Sequence, residues 1–237
     1  MAKEDVLYQH GTLALLVPGL YYGTQSIADL LTHGDTGIGT ADGLDGEMVI
    51  LAGHAYQISG KGKVREMASD ELTPFANVHF DQPTNDYDRQ NISSADLEKE
   101  IFADHQFANQ FFAIKIHGTF SHVQTRAIDK QKPPYPPLAE AAKSQHVFEK
   151  DDVTGTLIGY YSPDLYQGTT SAGFHVHFLD DDHTFGGHIL AYALTEGKVS
   201  LQTFSDFNLH LPVYDSHFVQ ADLNDPELDK QIKAAEH

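Results

Sequence analysis

One stretch constrains the fold more than any other. Residues 173–190 read Gly-Phe-His-Val-His-Phe-Leu-Asp-Asp-Asp-His-Thr-Phe-Gly-Gly-His-Ile-Leu. An apolar run is interrupted by an acidic triplet and then resumes, which predicts a β-hairpin. Successive side chains of a strand point to opposite faces, so His175 and His177 share one face. With the turn centred between Asp181 and Asp182, His188 lies opposite His175, and Gly186 lies opposite His177. All three imidazoles then converge. A loop of the other parity would turn His188 away unless a bulge corrected it. His183 falls in the turn and reads as solvated.

Three neutral imidazoles on one rigid face form a donor set for a divalent transition metal, zinc before others. Three protein ligands leave a position open for water or substrate, the catalytic form of such a site. The plainer alternative is a hairpin whose histidines only satisfy hydrogen bonds. It suits one histidine better than three on a face.

Composition narrows the chemistry. The 237 residues suffice for one large domain or two lobes sharing a core. The absence of cysteine excludes disulfides, thiolate metal sites, iron–sulfur clusters and a cysteine nucleophile. With 34 acidic against 15 basic side chains the formal net charge is −19, a field that repels phosphate backbones and anionic membranes. Neither a nucleic-acid nor a membrane partner is therefore expected. An anionic small molecule binds only where a metal or a buried arginine reverses the local sign, and the arginines are three: Arg65, Arg89 and Arg126. The first residues carry acidic side chains where a secretory signal would be basic. The apolar run Leu13–Leu16 is too short for a signal and ends at Pro18, and no stretch has transmembrane length, so the expectation is a cytoplasmic protein.

Along the chain, residues 6–22 read as extended and broken at Pro18-Gly19. Thr24 or Ser26 caps a short helix through Ile27 and Leu30. The glycine-rich stretch 34–46 lacks GxGxxG spacing and reads as a tight connection. Glu47 opens a strand that turns at Ala52-Gly53. Residues 63–67 and 75–80 are further strands, 83–90 a polar loop, and Ser94 caps a helix through Leu97 and Ile101. The longest extended segment is 111–128, with Gly118 as a bend and Arg126 near its end. Lys132-Pro-Pro-Tyr-Pro-Pro137 is a stiff connector and the expected boundary between an N-terminal β-rich lobe, 1–131, and a C-terminal metal-binding lobe, 138–237. A helix from Leu138 to about His146 precedes strands at 153–161, 172–179, 185–195 and 198–211, and a last helix starts near Asn224. Many strands with few short helices indicate α+β architecture: two β-rich lobes of mixed or antiparallel sheet, with the metal site on a hairpin of the second.

Four segments together carry a resemblance: Leu-Asp-Gly-Glu-Met at 44–48, Gly-Thr-Phe-Ser-His-Val-Gln-Thr-Arg at 118–126, the proline connector at 132–137, and the HxH…GGH run at 173–188. In this combination and order the chain resembles α-acetolactate decarboxylase over nearly its whole length. The resemblance implies that His175, His177 and His188 bind Zn2+, that Glu47 lies close to the metal and that Arg126 lines the substrate pocket. It also implies a glutamate from the chain's end near the zinc. Glu236 is the best positional match and Glu227 the competitor. A two-lobed α/β fold and a homodimer are implied as well.

The residue types suit that chemistry. Acetolactate is a β-keto acid with a hydroxyl on the carbon that loses carbon dioxide. Zinc chelating the ketone and hydroxyl oxygens would stabilise the enediolate left behind, without thiamine or pyridoxal. Arg126 could hold the carboxylate or stabilise the developing charge, and Glu47 or Glu236 could protonate the enediolate to give acetoin. Two other readings stay open. A cupin-like metal oxygenase or isomerase also begins with HxH on a strand, but it places a glutamate a few residues later, where this chain has Phe178-Leu-Asp-Asp-Asp-His. A non-catalytic metal-binding protein would close its site with a fourth protein ligand.

Overall fold

The computed structural model describes residues 5–105 and 107–223, with the side chains of residues 104 and 105 left aside. In chain order the elements are β1 (Val6–His10), α1 (Leu13–Leu16), β2 (Gln25–Ser26), α2 (Ile27–Leu30), β3 (Thr36–Thr40), β4 (Glu47–Leu51), β5 (His54–Ile58), β6 (Val64–Glu66), β7 (Leu72–Thr73) and β8 (Phe75–His79). There follow β9 (Asn85–Ser93), α3 (Ser94–His105), β10 (Phe112–Ile128), α4 (Leu138–Ala141), β11 (Gln145–Ser162), β12 (Gly173–Asp180), β13 (Gly186–Thr203), β14 (Asp206–His210) and α5 (Ser216–Gln220).

Two sheets dominate, and the α+β class read from the sequence holds. The first has the order β14-β1-β8-β3-β4-β5-β6 and is antiparallel except where β14 runs parallel to β1. The second, β10-β11-β12-β13-β9, is antiparallel throughout, and an extra pairing of β10 with β13 joins β10 to β13 into a closed circuit. Inside that circuit lie Phe112, Ile116, Phe120, Leu157, Phe178 and Val199, with Leu97 and Ile101 of α3 packed against them. The outward residues of β11 and β12, such as Ile158, Tyr160 and Leu179, pack on Leu7, Ile38, Val49 and Ile58 of the first sheet. The chain passes from the first sheet to the second between β8 and β9 and returns to the first at β14, whereas the proline connector joins two strands, β10 and β11, of the same sheet.

Several local expectations are corrected. The glycine-rich stretch contains a fully buried strand, β3, because its neighbour's backbone comes too close for a side chain: a Cβ at Gly37 would sit 2.0 Å from the Asn77 carbonyl oxygen. Leu13–Leu16 form a helical turn, not extended chain, since the Thr12 side chain accepts from the Leu15 amide. The polar stretch 83–90 carries most of β9, an edge strand whose alternate residues, Tyr87 among them, lean on the second core. Ser93 rather than Ser94 caps α3, accepting from the Asp96 amide. Ser26 caps α2, as one of the two options had it. The segment after Leu138 is a single helical turn followed by one turn of 3-10 helix, and β13 runs unbroken through the gap expected between 195 and 198. Register shifts in the β10–β13 ladder occur just beyond Gly118, between Thr119 and His122 and between Gln124 and Thr125. The helix expected from Asn224 lies outside the described residues. No helix among the described residues is long and apolar enough to cross a membrane.

Candidate metal centre and active site

The hairpin that carries the histidines is β12–β13, and its pairing differs from the expected one. His177 lies opposite His188, and Leu179, not His177, lies opposite Gly186. The cause is a four-residue loop, 181–184, centred one residue later than expected. The Asp180 amide donates to the Phe185 carbonyl at 2.9 Å. The buried Asp180 carboxylate accepts from the Thr184 and Phe185 amides at 2.7 and 2.9 Å, from the Thr184 hydroxyl at 2.9 Å and from Lys150 Nζ at 2.7 Å. His183 takes a left-handed φ of 53° at the tip of this loop and is exposed. Moving the turn by one residue moves each cross-strand partner by two, a full pleat period, so the faces are kept.

The three imidazoles therefore converge. Their ring centroids are 4.9 to 5.4 Å apart, their candidate donor atoms all lie within 4.8 Å of one another, and all three residues are buried. His177 is the most constrained. Its Nδ1 donates to the Met48 carbonyl of β4 at 2.9 Å, a bond that reaches across from one sheet to the other. That bond fixes the tautomer and leaves Nε2 bare toward the site. Nε2 is fully buried, has no hydrogen-bond partner, and lies 3.3 Å from a Glu47 carboxylate oxygen. Burial first, then the neighbouring His175, holds the His177 pKa well below the ordinary imidazole value. A lone pair and a carboxylate oxygen thus face each other in a buried space, an arrangement that a cation between them would relieve. By donor type and spacing His175, His177 and His188 fit a divalent metal, and His177 fits it by tautomer as well.

Glu47 comes from the other sheet. The turn before β4 aims it inward: Thr40 Oγ1 donates to the Gly46 carbonyl at 2.7 Å, and Gln57 Nε2 donates to the Asp45 carbonyl at 2.6 Å. Gly46 has a φ of 70°, and a Cβ there would meet the Ile58 carbonyl oxygen at 2.0 Å, so glycine is required. The Glu47 side chain is only 12% exposed. Arg126 pairs with His188 across the β10–β13 ladder and is buried. Its Nη1 donates to Gln145 Oε1 at 2.8 Å, and its Nη2 lies 3.4 Å from His188 Nε2.

These groups form the polar floor of a cavity that is also lined by apolar side chains: Leu13 and Leu16 of α1, Phe75, Ile128, and Leu138 of α4. The sequence reading placed the three histidines, Glu47 and Arg126, and the fold brings all five to this cavity. It did not anticipate Thr40, the α1 and α4 wall, or Gln145. The Thr12 cap ahead of Leu-Ala-Leu-Leu was the available signal for α1. Glu236 and Glu227 lie outside the described residues.

Residues 7–225 match the sequence profile of the alpha-acetolactate decarboxylase family. The chain belongs to the alpha-acetolactate decarboxylase family. Among curated alpha-acetolactate decarboxylases, that of Streptococcus thermophilus is 37% identical over 240 residues, covering all of both chains. That of Raoultella terrigena is 38% identical over 243 residues, covering 99% of this chain and 90% of its own. Among solved structures, the alpha-acetolactate decarboxylase of Bacillus subtilis strain 168 superposes with a TM-score of 0.94 at 33% identity, over 98% of this chain and 99% of that one. A Staphylococcus aureus protein described as similar to alpha-acetolactate decarboxylase gives a TM-score of 0.95 at 38% identity, over 98% and 100%. Family membership thus extends to the whole β-rich fold, both sheets included.

Proposed function

We propose that the chain catalyses the decarboxylation of α-acetolactate to acetoin and carbon dioxide, using Zn2+ held by His175, His177 and His188. The observation that carries the metal assignment is the bare, buried Nε2 of His177 facing Glu47 while Nδ1 is committed to Met48. The family supplies the substrate.

The reaction breaks the bond between the carboxylate and the carbinol carbon, releases carbon dioxide, and leaves an electron pair that must be held and then protonated. When bound, zinc supplies a Lewis acid for the ketone and hydroxyl oxygens, the sink for that pair. The protein's own groups do the rest. Arg126 binds the substrate carboxylate with its planar fork and sets the scissile bond over the cavity floor. At an effective dielectric near 20, an ion pair at about 4 Å is worth roughly 4 kcal/mol, enough to offset the repulsion of an acidic chain at close range. The leucine wall excludes water from the carbanionic carbon, so that the proton comes from a placed donor. Glu47 is that donor or shares the role with Glu236, one proton being taken up for each carbon dioxide lost. Delivery from one side yields a single acetoin enantiomer. The homodimer that the resemblance implies and the expected cytoplasmic location belong to the same proposal, and a sedimentation mass of twice the chain would bear out the first.

The test is incubation of purified protein with racemic acetolactate, with acetoin assayed before and after chelation and after zinc is restored. Acetoin should form, stop on chelation and resume with zinc. A metal-free protein that remains fully active would refute the metal assignment. Removal of the last two residues, Glu236 included, should depress turnover; unchanged activity and metal content would exclude the terminal glutamate.

A further inference from the structure

Arg126 reaches the cavity floor from the middle of a sheet, and what fixes its guanidinium is visible in the ladder. Its direct neighbour on β11 is Val147, and Ile128 pairs with Gln145. Residues two apart share a face, so Gln145 is the diagonal neighbour of Arg126, at a spacing that long side chains can bridge. They do bridge it, through the 2.8 Å bond from Nη1 to Gln145 Oε1. Gln145 is itself fixed in the backbone: it follows the 3-10 turn Ala142–Ser144, and its amide donates to the Ala142 carbonyl. That turn directly follows α4, whose Leu138 walls the same cavity.

The chemical type at 145 matters. A carboxylate there would take the guanidinium fork for itself and cancel its charge. An amide oxygen accepts one N–H and leaves the formal charge of the fork in place for an anion. On the other side Nη2 lies 3.4 Å from His188 Nε2.

We propose that Gln145 is a positioning residue for the decarboxylation. By accepting from Nη1 it presents the Arg126 fork to the substrate carboxylate without neutralising it. The proposal rests on the reading of Arg126 as the carboxylate anchor and names the residue through which that anchor is set.

The test uses the zinc-loaded full chain and compares wild type with Gln145→Ala and Gln145→Glu. Two readouts run in parallel: steady-state decarboxylation of acetolactate, and calorimetric binding of 2-hydroxy-2-methylpropanoate, an α-hydroxy carboxylate with no ketone to react. Gln145→Ala should lower kcat/KM and anion affinity by about tenfold, with zinc content and thermal midpoint kept. Gln145→Glu should lose at least as much, mainly through KM and anion affinity. Relative to wild type at the same pH, its deficit should shrink only as the pH falls through the pKa of that glutamate, which the Arg126 guanidinium holds below the ordinary value of about 4.3. A merely structural role would not produce that pH response. If both variants bind the anion and turn over as wild type does, or if Gln145→Glu shows the same deficit at every pH, the positioning role is overturned. If wild type binds the anion and the variants do not, but no protein releases carbon dioxide, the positioning role stands and the reaction assignment fails. If wild type neither binds nor turns over, both fail.

Discussion

The loop that sets the hairpin pairing hangs on one carboxylate, and its removal is a quantitative test of how the site is built. Asp180 is 2% exposed and collects four donors, all within 3 Å. A hydrogen bond to a charged acceptor nets about 1.5–3 kcal/mol, so simple addition for Asp180→Ala would exceed about 6 kcal/mol. The structure argues for less. Lys150 is 38% exposed and can turn to water, and Thr184 is exposed, so its amide and hydroxyl can be rehydrated. The burial cost of the carboxylate is also recovered. What remains is a poorly satisfied Phe185 amide and a loosened loop, about 2–4 kcal/mol. For a chain of this size that is a fall of about 5–15 °C in the thermal midpoint. Asp180→Asn keeps an oxygen for the two amides but turns an NH2 toward Lys150, and should cost about 1–2 kcal/mol. Burial pushes the Asp180 carboxyl up, but the bonds from Lys150, Phe185 and Thr184 together outweigh it and hold the pKa below the usual carboxylate value. A depressed native pKa contributes stability above the unfolded value, about 3.9, which is lost as pH falls through the native one. The gap between wild type and Asp180→Asn, measured on chelator-treated protein, should therefore be constant above about pH 5 and close below about pH 4. Zinc should also bind Asp180→Ala about tenfold or more weakly, because His188 is no longer held opposite His177. An Asp180→Ala protein within about 1 °C of wild type, or a gap indifferent to acid, would refute the latch.

Arg126→Lys keeps a charge but loses the fork and the Gln145 bond; kcat/KM should fall at least about hundredfold with zinc content unchanged by elemental analysis. Leu138→Ala enlarges the apolar wall and should raise the preference for acetohydroxybutyrate, one methylene larger, over acetolactate by up to about tenfold in competing-substrate assays. Tyr160→Phe removes the hydroxyl 2.8 Å from His79 Nδ1. Burial, outweighing the pull of Asp35, takes the His79 pKa down to about 3, so a neutral imidazole nitrogen is stranded. Urea denaturation should show a loss of about 1–3 kcal/mol.

The histidine site was legible because its decisive property is parity. Any loop with an even number of residues between β12 and β13 leaves His175, His177 and His188 on one face. The actual partner of each was not legible, because Asp181 and Asp182 attract the eye to a turn that Asp180 and Thr184 in fact define. Arg126 could be singled out from an acidic chain with few arginines, but its placement beside His188 depends on the register shifts of β10 against β13, which leave no mark in the sequence. The strand β9 was hidden by polarity: as an edge strand it buries only half of each pleat, and Tyr87 and Ile92 were too few to announce it. The strand β3 was hidden for the opposite reason. Its glycines, which suggest a loop, mark where two backbones nearly touch.

The location of the site follows from the charge problem. A chain with a net charge of −19 must bind an anion, and two of its three arginines are paired at the surface, Arg65 with Glu71 and Arg89 with Glu100. The remaining arginine is buried beside His188 in the second sheet, and Glu47 arrives from the first. Between the sheets the dielectric is low, so the Arg126 guanidinium and a cation held by the three histidines would act on an anion at close range while the acidic surface is screened by solvent and salt. The Met48 carbonyl, a neutral partner for His177 Nδ1, adds no formal charge to this low-dielectric space. The same bond ties β12 to β4, so His177, a member of the candidate metal centre, also docks one sheet on the other. In this fold the candidate metal centre and the inter-sheet packing share one residue, and a change that loosens either should be felt in both.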